Sequence, residues 1–152
     1  MTEPYSSARR WWPLLLPLSF LLHIGEEWWG GLAVWTERTL GMGVSTDRFI
    51  VLNGIGWPLF AVLTVVAVRQ PSWWWFVTTF ATLVVVNAVL HALASLATWT
   101  YSPGLITALC LYLPVGGYAL LDRSRRPPPA TFGRAVLLGV AIHAAVTAIA
   151  LW

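Results

Sequence analysis

Long runs of apolar residues, separated by short polar or proline-rich stretches, recur five times along the chain. The runs cover residues 11–29, 48–68, 72–98, 103–121 and 131–152. A helix needs about 20 apolar residues to cross a bilayer, and each run is close to that length or longer. The pattern predicts an all-α fold in which residues 1–152 form a single transmembrane domain, a bundle of about five membrane-spanning helices.

The connection over residues 30–47 is longer and less apolar than the other connections. Because tryptophan favours the headgroup level of a bilayer, Trp28 and Trp35 indicate that part of this connection lies in the membrane interface. Serines mark two helix starts. Ser45 precedes the second run, and Ser102, followed by a proline, is the predicted N-cap of the fourth helix.

The composition excludes a soluble globular domain. Hydrophobic residues make up 58% of the chain and charged residues only 10%, whereas soluble domains carry about 25% charge. Most of the 11 tryptophans stand near the ends of the predicted spans, where they would anchor helices at the two membrane surfaces.

The net charge of +3 is a signal of topology. With five spans, only Arg38 and Arg48 fall on one side, and seven arginines fall on the other: Arg9, Arg10, Arg69, Arg123, Arg125, Arg126 and Arg134. The positive-inside rule then places the N-terminus in the cytoplasm and the C-terminus outside. We expect membrane lipids, with anionic headgroups near the arginines, as partners, and no nucleic acid, because no basic face is formed.

All three histidines fall inside predicted spans, at a similar depth in the outer half of the bilayer: His23, His91 and His143. Ionisable residues inside a membrane are costly and usually functional. Glu26 and Glu27 follow His23 by three and four residues, so the three side chains share an arc of about 100° on a helix. The arrangement predicts one shared polar site.

Imidazole and carboxylate are ligands of zinc, and also of iron and manganese when coordination positions stay open. We therefore predict a divalent metal, zinc or iron, with the ligands His23, Glu26, Glu27, His91 and His143. Catalytic candidates are Glu26, Glu27, His91 and Asn87, and the sequence leaves open which glutamate binds metal and which acts as acid or base. The alternative is that the histidines pack through hydrogen bonds and the glutamates are solvated at a helix end.

Three motifs occur intact and in order: His23-Ile24-Gly25-Glu26-Glu27, Asn87 to His91, and Tyr101 to Thr107 with the pattern YxPGxxT. In these motifs the chain resembles the HxxEE family of small prokaryotic membrane proteins. The resemblance covers nearly the whole chain and implies an integral protein of a prokaryotic cytoplasmic membrane, considered an enzyme but without a settled reaction. His143 does not belong to these motifs and is added on the basis of its depth and residue type.

We favour a membrane-embedded, metal-dependent enzyme that acts on a lipid-like or isoprenoid-type substrate. Its substrate contacts are predicted at Tyr101, Thr107, Asn53 and Trp57. One alternative is a metal-free cyclase or isomerase, in which a protonated glutamate starts a carbocation that aromatic rings stabilise. A third hypothesis is a small proton or ion pathway, or an accessory subunit. The pairs Gly30-Gly31 and Gly116-Gly117 allow close helix packing and hence a homo-oligomer.

Overall fold

The computed structural model describes residues 11–151. These residues form five main helices: α1 (Leu15–Trp29), α2 (Thr46–Arg69), α3 (Trp74–Thr98), α4 (Leu105–Leu121) and α5 (Pro129–Leu151). Single helical turns accompany them at Trp12–Leu14, Leu32–Trp35, Thr36–Leu40 and Pro71–Trp73. The described part of the chain contains no strand, so the predicted all-helical fold is confirmed. Arg9, Arg10 and Trp152, which entered the prediction of topology and of the last span, lie outside the described residues.

Among residues 11–151, three helices are long and apolar enough to cross a membrane. They cover Thr46–Arg69, Pro71–Thr98 and Pro129–Leu151. The remaining two, α1 and α4, are shorter; α1 has 15 residues. Large apolar side chains such as Ile55, Leu96 and Leu137 point away from the bundle and are mostly exposed. An apolar outer surface on long helices is what a lipid-facing bundle requires, and it indicates a membrane protein.

The starts of α2 and α4 differ in how they are capped. As predicted, Ser45 caps α2, because its hydroxyl accepts a hydrogen bond of 3.2 Å from the backbone N–H of Arg48. The prediction that Ser102 caps α4 was wrong. Pro103 and Gly104 first form a turn, closed by a 3.0 Å hydrogen bond from Leu105 N–H to the Ser102 carbonyl. Gly104, with φ of +104°, is the residue that precedes α4, and the Ser102 hydroxyl is free for another partner.

Helix α3 lies at the centre of the bundle and packs against the four other main helices. Its contact with α5 is the closest. The Thr79 hydroxyl donates a 3.1 Å hydrogen bond to the Ala135 carbonyl, and Gly139, one turn further along α5, lies against Thr79 and Thr82. Residue numbers rise together in the two helices, so α3 and α5 run parallel.

The predicted site residues gather at one end of this bundle. At this end α1, α3 and α5 finish, and α2 and α4 begin. The segment that links α1 to α2 contributes Leu32, Trp35 and Val44 to the wall of a cavity there. The alternating direction of the helices therefore brings side chains that are distant in sequence to one level of the bundle.

Candidate metal centre

Three buried side chains form a compact group of possible metal ligands. His23 and Glu27 lie one turn apart on α1, and His91 projects from α3. The Glu27 Oε1 atom is 3.3 Å from Nε2 of His23 and 3.3 Å from Nε2 of His91, and one ligand atom from each residue lies within 4.8 Å of the others. His23 is 1% exposed, and Glu27 and His91 are each 8% exposed. The carboxylate thus stands between two imidazoles in a site shielded from its surroundings.

The other nitrogen of each imidazole is held by a hydroxyl from the segment that leads into α4. Nδ1 of His23 lies 2.8 Å from the Thr107 hydroxyl, and Nδ1 of His91 lies 2.9 Å from the Ser102 hydroxyl. A hydrogen bond at one ring nitrogen fixes the orientation of the ring and, through the tautomer, the role of the other nitrogen. Both rings therefore present Nε2 to Glu27.

The Thr107 hydroxyl favours one tautomer of His23. It donates a 3.2 Å hydrogen bond to the Gly104 carbonyl, so its oxygen accepts the hydrogen bond from Nδ1–H of His23. In the neutral ring, Nε2 then carries a lone pair that faces the Glu27 carboxylate. This Nε2 atom is buried and has no hydrogen-bond partner among the described residues. Two facing acceptors need a proton or a metal ion between them.

Gly104 covers the group from the side of the α3–α4 turn. A Cβ atom at this position would lie 2.7 Å from Cε1 of His23 and 2.8 Å from Cε1 of His91. Its φ of +104° is also one that residues with a Cβ rarely adopt. Only glycine lets the backbone approach both rings, and the close approach keeps the site closed on this side.

A wide helical turn in α4 places Tyr112 against the same site. In a regular α-helix, Thr107 and Tyr112 would point about 140° apart. The turn over Ala108–Tyr112 is π-helical, and such a turn aligns residues that are five positions apart. Both residues consequently reach His23: Thr107 through its hydroxyl, and Tyr112 through its buried ring, whose centroid is 4.3 Å from that of the imidazole.

Glu26 lies outside the group of three and holds the start of α4. Its carboxylate accepts hydrogen bonds from the backbone N–H groups of Ile106 and Thr107, at 2.9 and 2.6 Å, and from the Tyr101 hydroxyl. Because α4 starts at Leu105, these are free amides of its first turn. The adjacent glutamates therefore have different surroundings, since Glu27 faces the imidazoles and Glu26 fastens the segment that carries Ser102 and Thr107.

Tyr101 contributes to this fastening from outside the cavity. Burial and the hydrogen bond that its hydroxyl donates to Glu26 raise the pKa of Tyr101 to about 12. The phenol consequently stays protonated near neutral pH and remains a donor. Neither Tyr101 nor Thr107 lines the cavity beside the group, so their observed contacts are with Glu26 and His23 and not with the space that a substrate would fill.

His143, Asn87 and Asn53 share a cavity of about 280 Å³ with the group. His143 is buried on α5, but it is not among the three clustered ligands, and its Nδ1 lies 3.3 Å from the Thr147 hydroxyl. The Asn87 amide oxygen is buried without a hydrogen-bond partner in the described part of the chain, whereas Asn53 donates to its own helix at the Phe49 carbonyl, 3.0 Å away. The structure therefore brings three of the five predicted ligands together and leaves Glu26 and His143 beside them.

Trp57 lies elsewhere. Its indole N–H donates a 2.9 Å hydrogen bond to the Pro17 carbonyl, and its ring lines a separate groove of about 600 Å³ between α1 and α2. Asn53 and Phe49 line both the groove and the cavity. Trp57 thus lines the groove and not the cavity that contains the imidazoles.

Sequence reasoning missed three residues that shape the site: Ser102, Gly104 and Tyr112. The signal for Gly104 was its position in a proline-glycine turn next to a histidine layer, which allows a close backbone approach. A serine directly before such a turn predicts a helix cap, but a hydroxyl near two predicted imidazoles is also a candidate partner for one of them. Tyr112 depends on the wide turn, for which the sequence carries no signal that we recognise.

A family model described as a protein of unknown function with HXXEE motif matches residues 14–119. The matched region is more than half of the chain and contains all three motifs, so the predicted resemblance is confirmed. His143 lies beyond it. Comparisons with curated proteins and with solved structures gave no match.

Proposed function

The chain belongs to the HXXEE family, and from this premise and the geometry of its buried group we propose that it is a membrane-embedded, metal-dependent enzyme acting on a hydrophobic substrate. The main support is the group of Glu27, His23 and His91, in which the Nε2 atoms of both histidines face one carboxylate oxygen of Glu27. Two histidines and one glutamate form a ligand set that catalytic zinc sites use.

The distances support a metal site. Ligands held tetrahedrally at about 2.1 Å from zinc lie about 3.4 Å from one another. Glu27 Oε1 is 3.3 Å from each Nε2, and the three ligand atoms lie within 4.8 Å of one another. The unpartnered, buried Nε2 of His23 supports the same assignment.

Zinc and iron are the ions that these donors suit, because imidazole and carboxylate bind both. With three protein ligands, such an ion supplies a Lewis acid and an activated water at an open position. We assign Glu27 to the metal. The carboxylate of Glu26 already accepts three hydrogen bonds, so we assign it to positioning Thr107 and leave acid–base chemistry to groups that face the cavity, such as His143.

The cavity supports a hydrophobic substrate, since apolar side chains make up most of its wall. We propose that the groove between α1 and α2 is the route from the bilayer. It is lined by Leu21, Ile24 and Trp28, and it meets the cavity at Phe49 and Asn53. A substrate dissolved in lipid would then reach the buried group without crossing water.

We also propose that all five helices cross the cytoplasmic membrane of a prokaryote, with the N-terminus in the cytoplasm. Support comes from the alternation of helix directions, which puts the ends of α1, α3 and α5 at one level. The arginine distribution supports the orientation. The site would then lie toward the outer surface.

A metal-free cyclase or isomerase is the second candidate, because five aromatic side chains line the cavity beside Glu27: Phe20, Trp35, Phe49, Phe60 and Tyr112. Aromatic rings stabilise a carbocation through cation–π contact. In this variant a protonated Glu27 would supply the acid. Activity that survives a strong chelator but is lost in Glu27→Gln would favour it over the metal-dependent enzyme.

The central experiment measures metal binding by the purified protein in lipid nanodiscs. Elemental analysis gives the bound zinc or iron, and Co²⁺ titration followed by visible absorption reports affinity and geometry. We expect about one ion per chain in the wild type. Loss of a residue that only orients a metal ligand typically lowers metal affinity by about 10–100-fold. Glu27→Gln removes a ligand itself, so it should lower the metal affinity at least as much.

Glu26→Gln is the matched comparison, because it makes the same change at the neighbouring position and removes no proposed ligand; it acts only through the segment that positions Thr107. It should bind metal more tightly than Glu27→Gln. Absence of zinc, iron and cobalt binding in the wild type would overturn the metal-dependent proposal. Equal loss in both variants would overturn the assignment of Glu27 as the ligand.

A further inference from the structure

Some polar side chains in the wall of the cavity have a hydrogen-bond partner within the described part of the protein, and at least one does not. Thr36 donates a 3.0 Å hydrogen bond to the Ala33 carbonyl, Asn53 donates to the Phe49 carbonyl, and His143 is paired with Thr147. Asn87 makes no such bond. Within residues 11–151, its Oδ1 and the Nε2 of His23 are the two buried side-chain atoms without a hydrogen-bond partner.

Asn87 stands next to the proposed metal ligands on the same helix. It precedes His91 by one turn of α3, so the two side chains share a face, and both line the cavity. A buried amide oxygen left without a donor is costly. A bound molecule that places an O–H or N–H group at this position would supply the missing hydrogen bond and offset that cost.

We propose that the substrate is an apolar chain that ends in a hydroxyl group, and that Oδ1 of Asn87 recognises this hydroxyl by accepting a hydrogen bond from it. The inference rests on the proposed function, because it names the substrate class of the same site. The apolar wall would take the chain, and the hydroxyl would lie one helical turn from His91. A hydrocarbon would leave the Oδ1 atom of Asn87 unpaired, and so would an ionised carboxylate, which has no proton to donate to it.

The test compares farnesol with farnesyl methyl ether, which keeps the chain and the oxygen but has no hydroxyl proton. Binding of radiolabelled farnesol to the protein in nanodiscs is measured, and each compound competes in turn. In the wild type we expect farnesol to bind about tenfold more tightly than the ether, the order expected for one buried hydrogen bond. In Asn87→Leu, which keeps the branched shape of the side chain but is apolar, the ratio of the two affinities should fall to about one.

Thr36→Val is the control, since Thr36 also lines the cavity but its hydroxyl already donates to the Ala33 carbonyl and accepts from the Val44 N–H; this variant should keep the wild-type ratio. The additional methyl group of the ether acts in every variant, so the comparison of ratios isolates the hydrogen bond. Equal affinities in the wild type, or a ratio unchanged in Asn87→Leu, would overturn the proposal. Tighter binding of farnesoic acid than of farnesol would overturn it in favour of a carboxylate substrate.

Metal content is measured on the same samples, and the competition is repeated after treatment with a chelator. A preference for farnesol that depends on Asn87 but coexists with no metal binding would overturn the metal-dependent function and leave the hydroxyl recognition standing. Metal binding without any preference for farnesol would overturn the hydroxyl recognition and leave the metal-dependent function standing. The two failures are therefore distinguishable.

Discussion

Each imidazole of the buried group is held at Nδ1 by a hydroxyl, and Gly104 lies at the carbon edge of both rings, where a Cβ would clash. The hydroxyls set which nitrogen faces Glu27, and the missing Cβ leaves the rings the space they occupy. The hydroxyls and the glycine all come from residues 102–107. The chemistry of α1 and α3 is thus set by a third segment that supplies none of the proposed ligands.

Gly104→Ala should weaken metal binding by about tenfold or more, comparable to the loss of a residue that orients a ligand. The added Cβ would meet both rings at under 3 Å, so at least one imidazole must move. Co²⁺ titration of the purified variant is the measurement. Gly31→Ala is the control, because φ there is also positive, at +72°, but a Cβ would meet no atom within 4 Å.

The comparison between these two variants separates a change at the site from general destabilisation by an alanine at positive φ. Gly31, at φ +72° and ψ +45°, lies close to the left-handed region, where an alanine costs about 1–2 kcal/mol. Gly104, at φ +104° and ψ −13°, lies outside that region and is the more strained of the two for an alanine. If Gly31→Ala lowered metal affinity as much as Gly104→Ala does, general destabilisation would explain both results, and the contact between Gly104 and the histidines would not control the site.

The residues of the site show how far the sequence alone could lead. The histidine layer and the motif on α1 were predictable, because polar side chains are rare and conspicuous in apolar helices. The division of roles between Glu26 and Glu27 was not. Both positions lie on the arc shared with His23, and a small rotation of α1 decides which carboxylate faces His91 and which faces α4.

At the scale of helices, the crossing of α3 and α5 depends on a glycine. Gly139 allows α5 to lie directly on the backbone of α3: a Cβ would come 2.5 Å from the Thr79 carbonyl oxygen and 2.7 Å from Thr82 Cβ. His143 follows Gly139 by one turn and is therefore held on the same face. The depth of His143 in the cavity is a consequence of this close approach.

Gly139→Ala should destabilise the bundle by about 1–3 kcal/mol, the range for overpacking a close interface. Thermal unfolding in detergent, followed by circular dichroism, should show a lower midpoint. Gly133→Ala lies on the same helix, where a Cβ would meet nothing within 4 Å, and it should be neutral or slightly stabilising. Equal midpoints for the two variants would contradict the tight crossing.

Helix positions followed closely from the apolar runs, and helix irregularities did not. The predicted spans 48–68 and 72–98 correspond to Thr46–Arg69 and Trp74–Thr98, because length and apolar content are local properties. The wide turn in α4 packs against both α1 and α3, and the glycine before α4 lies against His23 and His91 from these two helices. Tertiary contacts of that kind leave no periodic pattern for a sequence to reveal.

For the whole molecule, the proposed topology predicts opposite labelling of two connections. Ser124→Cys, between α4 and α5, should be protected from a membrane-impermeant maleimide added outside the cell, because that arginine-rich loop is expected in the cytoplasm. Met42→Cys, between α1 and α2, should be labelled. Both changes are made in a Cys110→Ala background, since Cys110 is the single cysteine of the chain.

Permeabilised cells give the control, because both cysteines should react there. Labelling of Ser124→Cys in intact cells, or of the two positions alike, would contradict five crossings in the proposed orientation. The measurement also tests the depth of the site, since the group of three lies at the end of the bundle that carries the α1–α2 connection.

The hydrogen bonds of Glu26 have a consequence for how the protein is made. Its donors, Tyr101, Ile106 and Thr107, lie 75, 80 and 81 residues further along the chain. When α1 leaves the ribosome, Glu26 has none of these partners. The hydrogen bonds that fasten the end of α1 to the start of α4 can therefore form only after α4 has been translated.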